Sequence, residues 1–137
     1  MRIDHIVFWV EDPLRSVEFY ERILGFEGVR VDEFRAGNAP FPSVRVSEDI
    51  VLDLMARSFA PRLNGLPGAE GSAGNKLNHV CFAMSRSEYE ALRGRLDAHG
   101  IAVPVMMKDS FGAKGSAPEA FYFADPDGNV LEARHYG

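Results

Sequence analysis

Cysteine is almost absent. Cys81 is the single thiol in a chain of 137 residues. One thiol excludes an internal disulfide framework and fits a reducing, cytoplasmic setting. Basic residues are outnumbered, with 15 Lys and Arg against 20 Asp and Glu, for a formal net charge of −5. That balance lacks the basic stripe that a phosphate backbone requires, so no nucleic-acid partner is expected. The basic residues are scattered rather than blocked, so no membrane-surface patch is expected either. No apolar run approaches the ~18 residues of a membrane span. The first residues lack the basic-then-apolar pattern of a signal peptide. What is present is a globular composition, 46% hydrophobic and 26% charged, too apolar for disorder. The length suits one domain, or two small modules sharing a core.

One stretch occurs twice. Asp4-His5-Ile6-Val7-Phe8-Trp9-Val10 and Asn78-His79-Val80-Cys81-Phe82-Ala83-Met84 each join a polar residue and a histidine to a short apolar run that reads as a strand. Each is followed by a helical segment, further strand-like runs, and a final run carrying a carboxylate. The first half ends in Val51-Leu52-Asp53-Leu54-Met55, the second in Asn129-Val130-Leu131-Glu132-Ala133-Arg134.

In the first half, Asp12 predicts an N-cap and Pro13 the first helical residue. The helix should run to about Leu24 and end at Gly25. A strand is expected within Phe26 to Phe34, then a hairpin of Ser43–Ser47 and Ile50–Met55 around Glu48-Asp49. Residues 57–76 hold four glycines and two prolines, making strand or helix unexpected there. They form either a linker or a lid, and a lid would use Phe59, Arg62 and Leu66. In the second half, His79–Met84 reads as a strand, and Ser87 with Glu90 as the capping box of a helix ended by Gly100. Ile101–Met107 reads as a strand and Lys108–Glu119 as a loop. Ala120–Ala124 and Asn129–His135 read as a hairpin around Asp125-Pro126-Asp127-Gly128. The expected fold is α+β: two βαβββ modules, about 1–56 and 77–137, within one domain spanning 1–137. Their curved mixed sheets would form a cup, with the helices on the outer face.

Strand phase then groups the chemistry. With a period of two, His5 and Asp53 share the face opposite Ile6, Phe8, Leu52 and Leu54. His79 and Glu132 do the same in the second half, with His135 pointing away. From His5 to Asp53 is 48 positions, and from His79 to Glu132 is 53. Two facing modules would bring two imidazoles and two carboxylates together. That mixed N and O set suits Fe(II), Ni(II), Zn(II), Mn(II) or Co(II). Each residue taken alone is more simply a core or surface side chain; their repetition in phase points to a shared site. Val7, Trp9, Met55 and Cys81 would line the cup. Arg134 shares the face of Glu132 and either binds an anionic substrate or is a solvated surface arginine.

These motifs resemble the vicinal oxygen chelate superfamily of glyoxalases, bleomycin-resistance proteins and dioxygenases. The resemblance is carried by Asp4-His5-Ile6-Val7, Ile23-Leu24-Gly25-Phe26, Asn78-His79-Val80 and Phe121 through Glu132, and it covers the whole chain. It implies paired βαβββ modules and a divalent metal held by His5, His79 and Glu132. Asp53, standing where glyoxalase I has a glutamate, would be a fourth ligand or a base. It further implies a small-molecule substrate that chelates through vicinal oxygens, lyase or isomerase chemistry with Glu132 and Asp53 as catalytic groups, and a homodimer sharing its sites between chains. The alternatives are a metal-free binding protein of the bleomycin-resistance type and an Fe(II) extradiol-type dioxygenase.

Overall fold

The computed structural model describes residues 3–63, 72–74, 77, 79–112 and 114–137. Leu66, Asn78 and the glycines Gly65, Gly68 and Gly71 lie outside them. The chain divides into two compact units, Met1–Lys76 and Leu77–Gly137. Each unit holds one four-stranded mixed sheet with its helix, so the α+β class with two similar modules is borne out.

The first unit begins with β1 (His5–Val10) and α1 (Pro13–Phe19). Asp12 caps α1, its side chain accepting from the Leu14 and Arg15 backbone N–H groups at 3.0 and 3.3 Å. The helix widens into a π-helical turn over Tyr20–Leu24 and stops at Gly25, whose φ of 74° is left-handed. Then come β2 (Glu27–Val29), α2 (Val31–Arg35), β3 (Ser43–Ser47) and β4 (Ile50–Ala56). The strand expected within Phe26–Phe34 is therefore short, and Phe34 is helical. Asp32 and Glu33 fall in the first turn of α2, where acids complement the helix dipole. The sheet order is β1-β4-β3-β2, with β1 parallel to β4 and the other pairs antiparallel. Phe8, Leu52 and Leu54 are buried on one face, and Tyr20 meets Phe8 there at 6.4 Å between ring centroids.

Residues 57–63 correct the expectation of a structureless connection. Arg57–Leu63 is 3-10 helical with Pro61 inside it, and Ser72–Gly74 is a second short turn. The glycines that argued against structure begin only at Gly65.

The second unit runs β5 (Val80–Met84), α3 (Arg86–Ala98), β6 (Val105–Gly112), β7 (Gly115–Ala124) and β8 (Val130–His135). Its order, β5-β8-β7-β6, repeats the first sheet's plan, with β5 parallel to β8. The capping box is Ser85 with Glu88, not Ser87 with Glu90: both spacings fit, and α3 starts two residues earlier. Tyr89, Leu92 and Leu96 are its buried stripe. Tyr89 lies 4.8 Å from the rings of both Phe121 and His135, which share one sheet face. The expected loop Lys108–Glu119 is instead most of a β6–β7 hairpin. Between β7 and β8, Asp125 Oδ1 accepts from the N–H groups of Asp127 and Asn129 at 2.9 and 2.8 Å, and Gly128 takes a φ of 80°. Among the described residues no helix is long and apolar enough to cross a membrane.

Candidate functional site

Each unit carries one histidine–carboxylate pair, on the sheet face turned from the helix. In the first unit the parallel register sets His5 opposite Val51 and Val7 opposite Asp53, so the two groups are diagonal neighbours on one face. His5 is half exposed, and its Nδ1 stands 2.8 Å from Asp4 Oδ1. A neutral imidazole so placed keeps its proton on Nδ1 and presents Nε2 as the lone-pair nitrogen, the second-sphere arrangement common to metal-binding histidines. The hydrogen bond to Asp4, and after it the charge of Asp53, raise the His5 pKa above 6.5. Asp53 is buried and receives the Ser43 hydroxyl at 2.6 Å on Oδ1. Ser43 is its register partner on β3. Met55 on the same strand is buried, Trp9 partly so, and Val7 is exposed.

In the second unit His79 Nε2 lies 3.2 Å from Glu132 Oε2. Glu132 is only 1% exposed. Its other oxygen, Oε1, is taken by Arg134 through both Nε, at 3.2 Å, and Nη2. Arg134 is thus not a surface residue: it is buried, and its guanidinium faces Glu132 and Ser110. Its charge offsets that of Glu132. The hydrogen bonds that Arg134 donates to Glu132 raise its pKa further, so it remains a cation. Tyr122 and Cys81 stand opposite Glu132 on β7 and β5. The Tyr122 hydroxyl is pushed up by burial and then by its hydrogen bond to Glu132. The Tyr122 ring meets His79 edge-on at 5.4 Å. Desolvation, and then the charge of Glu132, push the Cys81 thiol up and keep it protonated, which argues against a nucleophile. His135, on the other face, is packed under Tyr89.

Four residues escaped the sequence reading: Asp4, Ser43, Ser110 and Tyr122. Asp4 had a signal, because a polar residue precedes the histidine in both copies of the repeat. Tyr122 had one also, since counting back from the Asp125-Pro126-Asp127-Gly128 turn puts it in phase with Glu132.

Among the described residues no group of three or more His, Cys, Asp and Glu side chains stands ready to hold a metal. Each pair therefore supplies two donors. The separation in the second pair is that of a direct imidazole–carboxylate contact and is also compatible with two donors on a first-row cation. Two donors with bonds of about 2.1 Å stand about 3.0 Å apart at right angles and about 3.4 Å apart at the tetrahedral angle. The His79–Glu132 separation of 3.2 Å lies between these values. Apart from both pairs, the first unit has a cleft of about 550 Å³ lined by Phe34, Pro40, Ser58, Phe59 and Arg62 among others. The Arg62 guanidinium stands over the Phe59 ring at 5.2 Å.

Comparison with known proteins agrees with this layout. The model of the Glyoxalase/Bleomycin resistance protein/Dioxygenase superfamily matches residues 2–133. The chain belongs to this superfamily. Virulence protein STM3117 of Salmonella typhimurium is 30% identical over 135 residues, covering 98% of this chain and 84% of that protein. The structure of lactoylglutathione lyase from Agrobacterium tumefaciens superposes with a TM-score of 0.69 at 22% identity, covering 98% of this chain and 92% of that one. The fosfomycin resistance protein FosX from Listeria monocytogenes gives 0.65 at 17% identity, covering 98% and 93%. At these identities the two structures establish the superfamily fold alone.

Proposed function

We propose that this superfamily member is a divalent-metal-dependent enzyme of the glyoxalase I kind. It would act as an isomerase or lyase on a small substrate that offers two adjacent oxygens. The observation that carries this reading is the His79–Glu132 pair, at a separation compatible with a shared cation and set on a carboxylate withdrawn from water. Membership of a superfamily whose members typically use divalent metals supports it. His79 and Glu132 would be ligands, and His5 and Asp53 the corresponding pair of the first unit. A cation bound there would polarise a substrate carbonyl and favour loss of the neighbouring proton. Asp53 would serve either as a further ligand or as the base that moves such a proton. Ser43 fixes its Oδ1, which leaves Oδ2 for either role. We further propose a homodimer in the cytoplasm, the latter supported by the lone thiol.

A metal-free binding protein is the competing reading. One observation favours it: Arg134 already neutralises Glu132, as in a purely structural ion pair. Metal analysis after gentle purification separates the two. The enzyme reading expects near-stoichiometric metal, or its restoration by Ni, Zn, Mn, Co or Fe, and loss of that metal in His79→Ala. His5→Ala and Asp53→Ala test the first pair in the same assay. Less than about 0.1 metal per chain, unrestored by any of these ions, would sink it. With metal present, turnover of the hemithioacetal of methylglyoxal, and not of a catechol panel supplied with O2 after anaerobic Fe(II) loading, distinguishes isomerase from oxygenase.

A further inference from the structure

Arginine and a carboxylate ordinarily meet fork to fork, each of two N–H groups reaching a different oxygen. Here both donors converge on one. Arg134 Nε and Nη2 each reach Glu132 Oε1, while Oε2 faces His79. The guanidinium is braced from the far side: Nη2 donates to Ser110 Oγ at 3.1 Å and Nη1 to the Ser110 carbonyl at 3.3 Å. Ser110 belongs to β6, two strands away from Arg134 on β8. On the strand between them, the register partner of Arg134 is Ala120 and that of Ser110 is Ala117.

We propose that Arg134, braced by Ser110, is a positioning residue that closes one oxygen of Glu132 and makes it a one-oxygen ligand. The inference rests on the assignment of His79 and Glu132 as metal ligands. A carboxylate free at both oxygens can chelate through both, a mode open to large cations such as Ca(II). With Oε1 held, Glu132 offers Oε2 alone, beside the histidine nitrogen. That suits small cations with short bonds, Zn(II), Co(II) and Ni(II) among them, and disfavours calcium.

The test uses the full-length chain titrated with Co(II) and Zn(II), with X-ray absorption on the Co(II) form and thermal unfolding of each variant. The wild type is expected to show a one-oxygen carboxylate and no competition from Ca(II). Arg134→Met should weaken Co(II) binding by about 10–100-fold, the usual effect of removing a group that orients a ligand. It should also shift the carboxylate towards two-oxygen binding and admit Ca(II) as a competitor. Arg134→Lys should recover part of the affinity, and Ser110→Ala should lose about fivefold, the worth of one ordinary hydrogen bond. If Arg134→Met does not fold, Arg134→Lys and Ser110→Ala carry the test. Variants that melt earlier yet keep the wild-type Co(II) affinity and carboxylate mode would make Arg134 structural only and overturn the proposal. Absence of Co(II) and Zn(II) binding by the wild type, or full binding by His79→Ala, would overturn the ligand assignment itself.

Discussion

Ser43 and Asp53 show how a single hydrogen bond supports a buried charge. Asp53 lies out of bulk water, and the Ser43 hydroxyl reaches it at 2.6 Å. Ser43→Ala is expected to lower stability by about 1–3 kcal/mol in urea unfolding, because a buried carboxylate then loses a donor. An unchanged midpoint would show that Asp53 finds another donor. The faces of His5, Asp53, His79 and Glu132 were legible because alternation within one strand needs no knowledge of its neighbours. Ser43 was not legible, for a definable reason. Strict counting back from the Ser47–Ile50 pair would set Ser43 opposite Leu54. The register shift between Arg45 and Ser47 sets it opposite Asp53 instead. A one-residue shift turns a side chain to the other face, and nothing in Arg45-Val46-Ser47 announces it. The burial of Arg134 is hidden similarly, since its partner Ser110 lies in a stretch whose Gly, Ser and Pro content predicts a loop.

Among the elements, α3 was read correctly and its start misplaced, because Ser85-x-x-Glu88 and Ser87-x-x-Glu90 are equally good boxes. The chosen one has a pH signature. The Ser85 hydroxyl, and then the Ser85 backbone N–H, hold the Glu88 carboxyl below its ordinary 4.5. A depressed folded pKa stabilises the fold above the ordinary value, and that contribution is lost as the pH falls through the lowered one. Unfolding of the wild type at a series of pH values should therefore show a loss beginning below about 4.5. Glu88→Gln should be less stable at neutral pH and lack that component; a variant with the wild-type pH profile would refute the assignment. The β6–β7 hairpin was missed because Pro118 and the surrounding Gly and Ser argued for a loop. Pro118 is tolerated where it lies. The β7–β8 ladder begins only at Glu119, and opposite Pro118 on β6 the ladder skips Asp109, whose φ is 54°. A residue without an N–H thus sits where no ladder bond is required.

At the scale of the whole molecule the repeat is one of topology rather than identity. In each unit the last strand is an inner one, with a parallel neighbour on one side and an antiparallel neighbour on the other. Leu52 and Leu54 on β4, and Leu131 and Ala133 on β8, are fully buried. Amide hydrogen exchange should therefore be slowest in β4 and β8, ahead of the edge strands of either sheet. Faster exchange there than in β2 or β6 would contradict this account. The sequence shows this plan because both halves repeat an order of patterns; it does not show α2, which has no counterpart among the described residues of the second half. The first-to-last parallel pairing also governs how each unit comes into being. Ile6 meets Leu52 across 46 positions, and Val80 meets Leu131 across 51. While the chain is being synthesised, neither sheet can close until its final strand emerges, and until then β1 and β5 have no partner. Closure by such distant contacts favours folding in milliseconds to seconds rather than microseconds. During that interval an apolar strand stands open to other nascent chains.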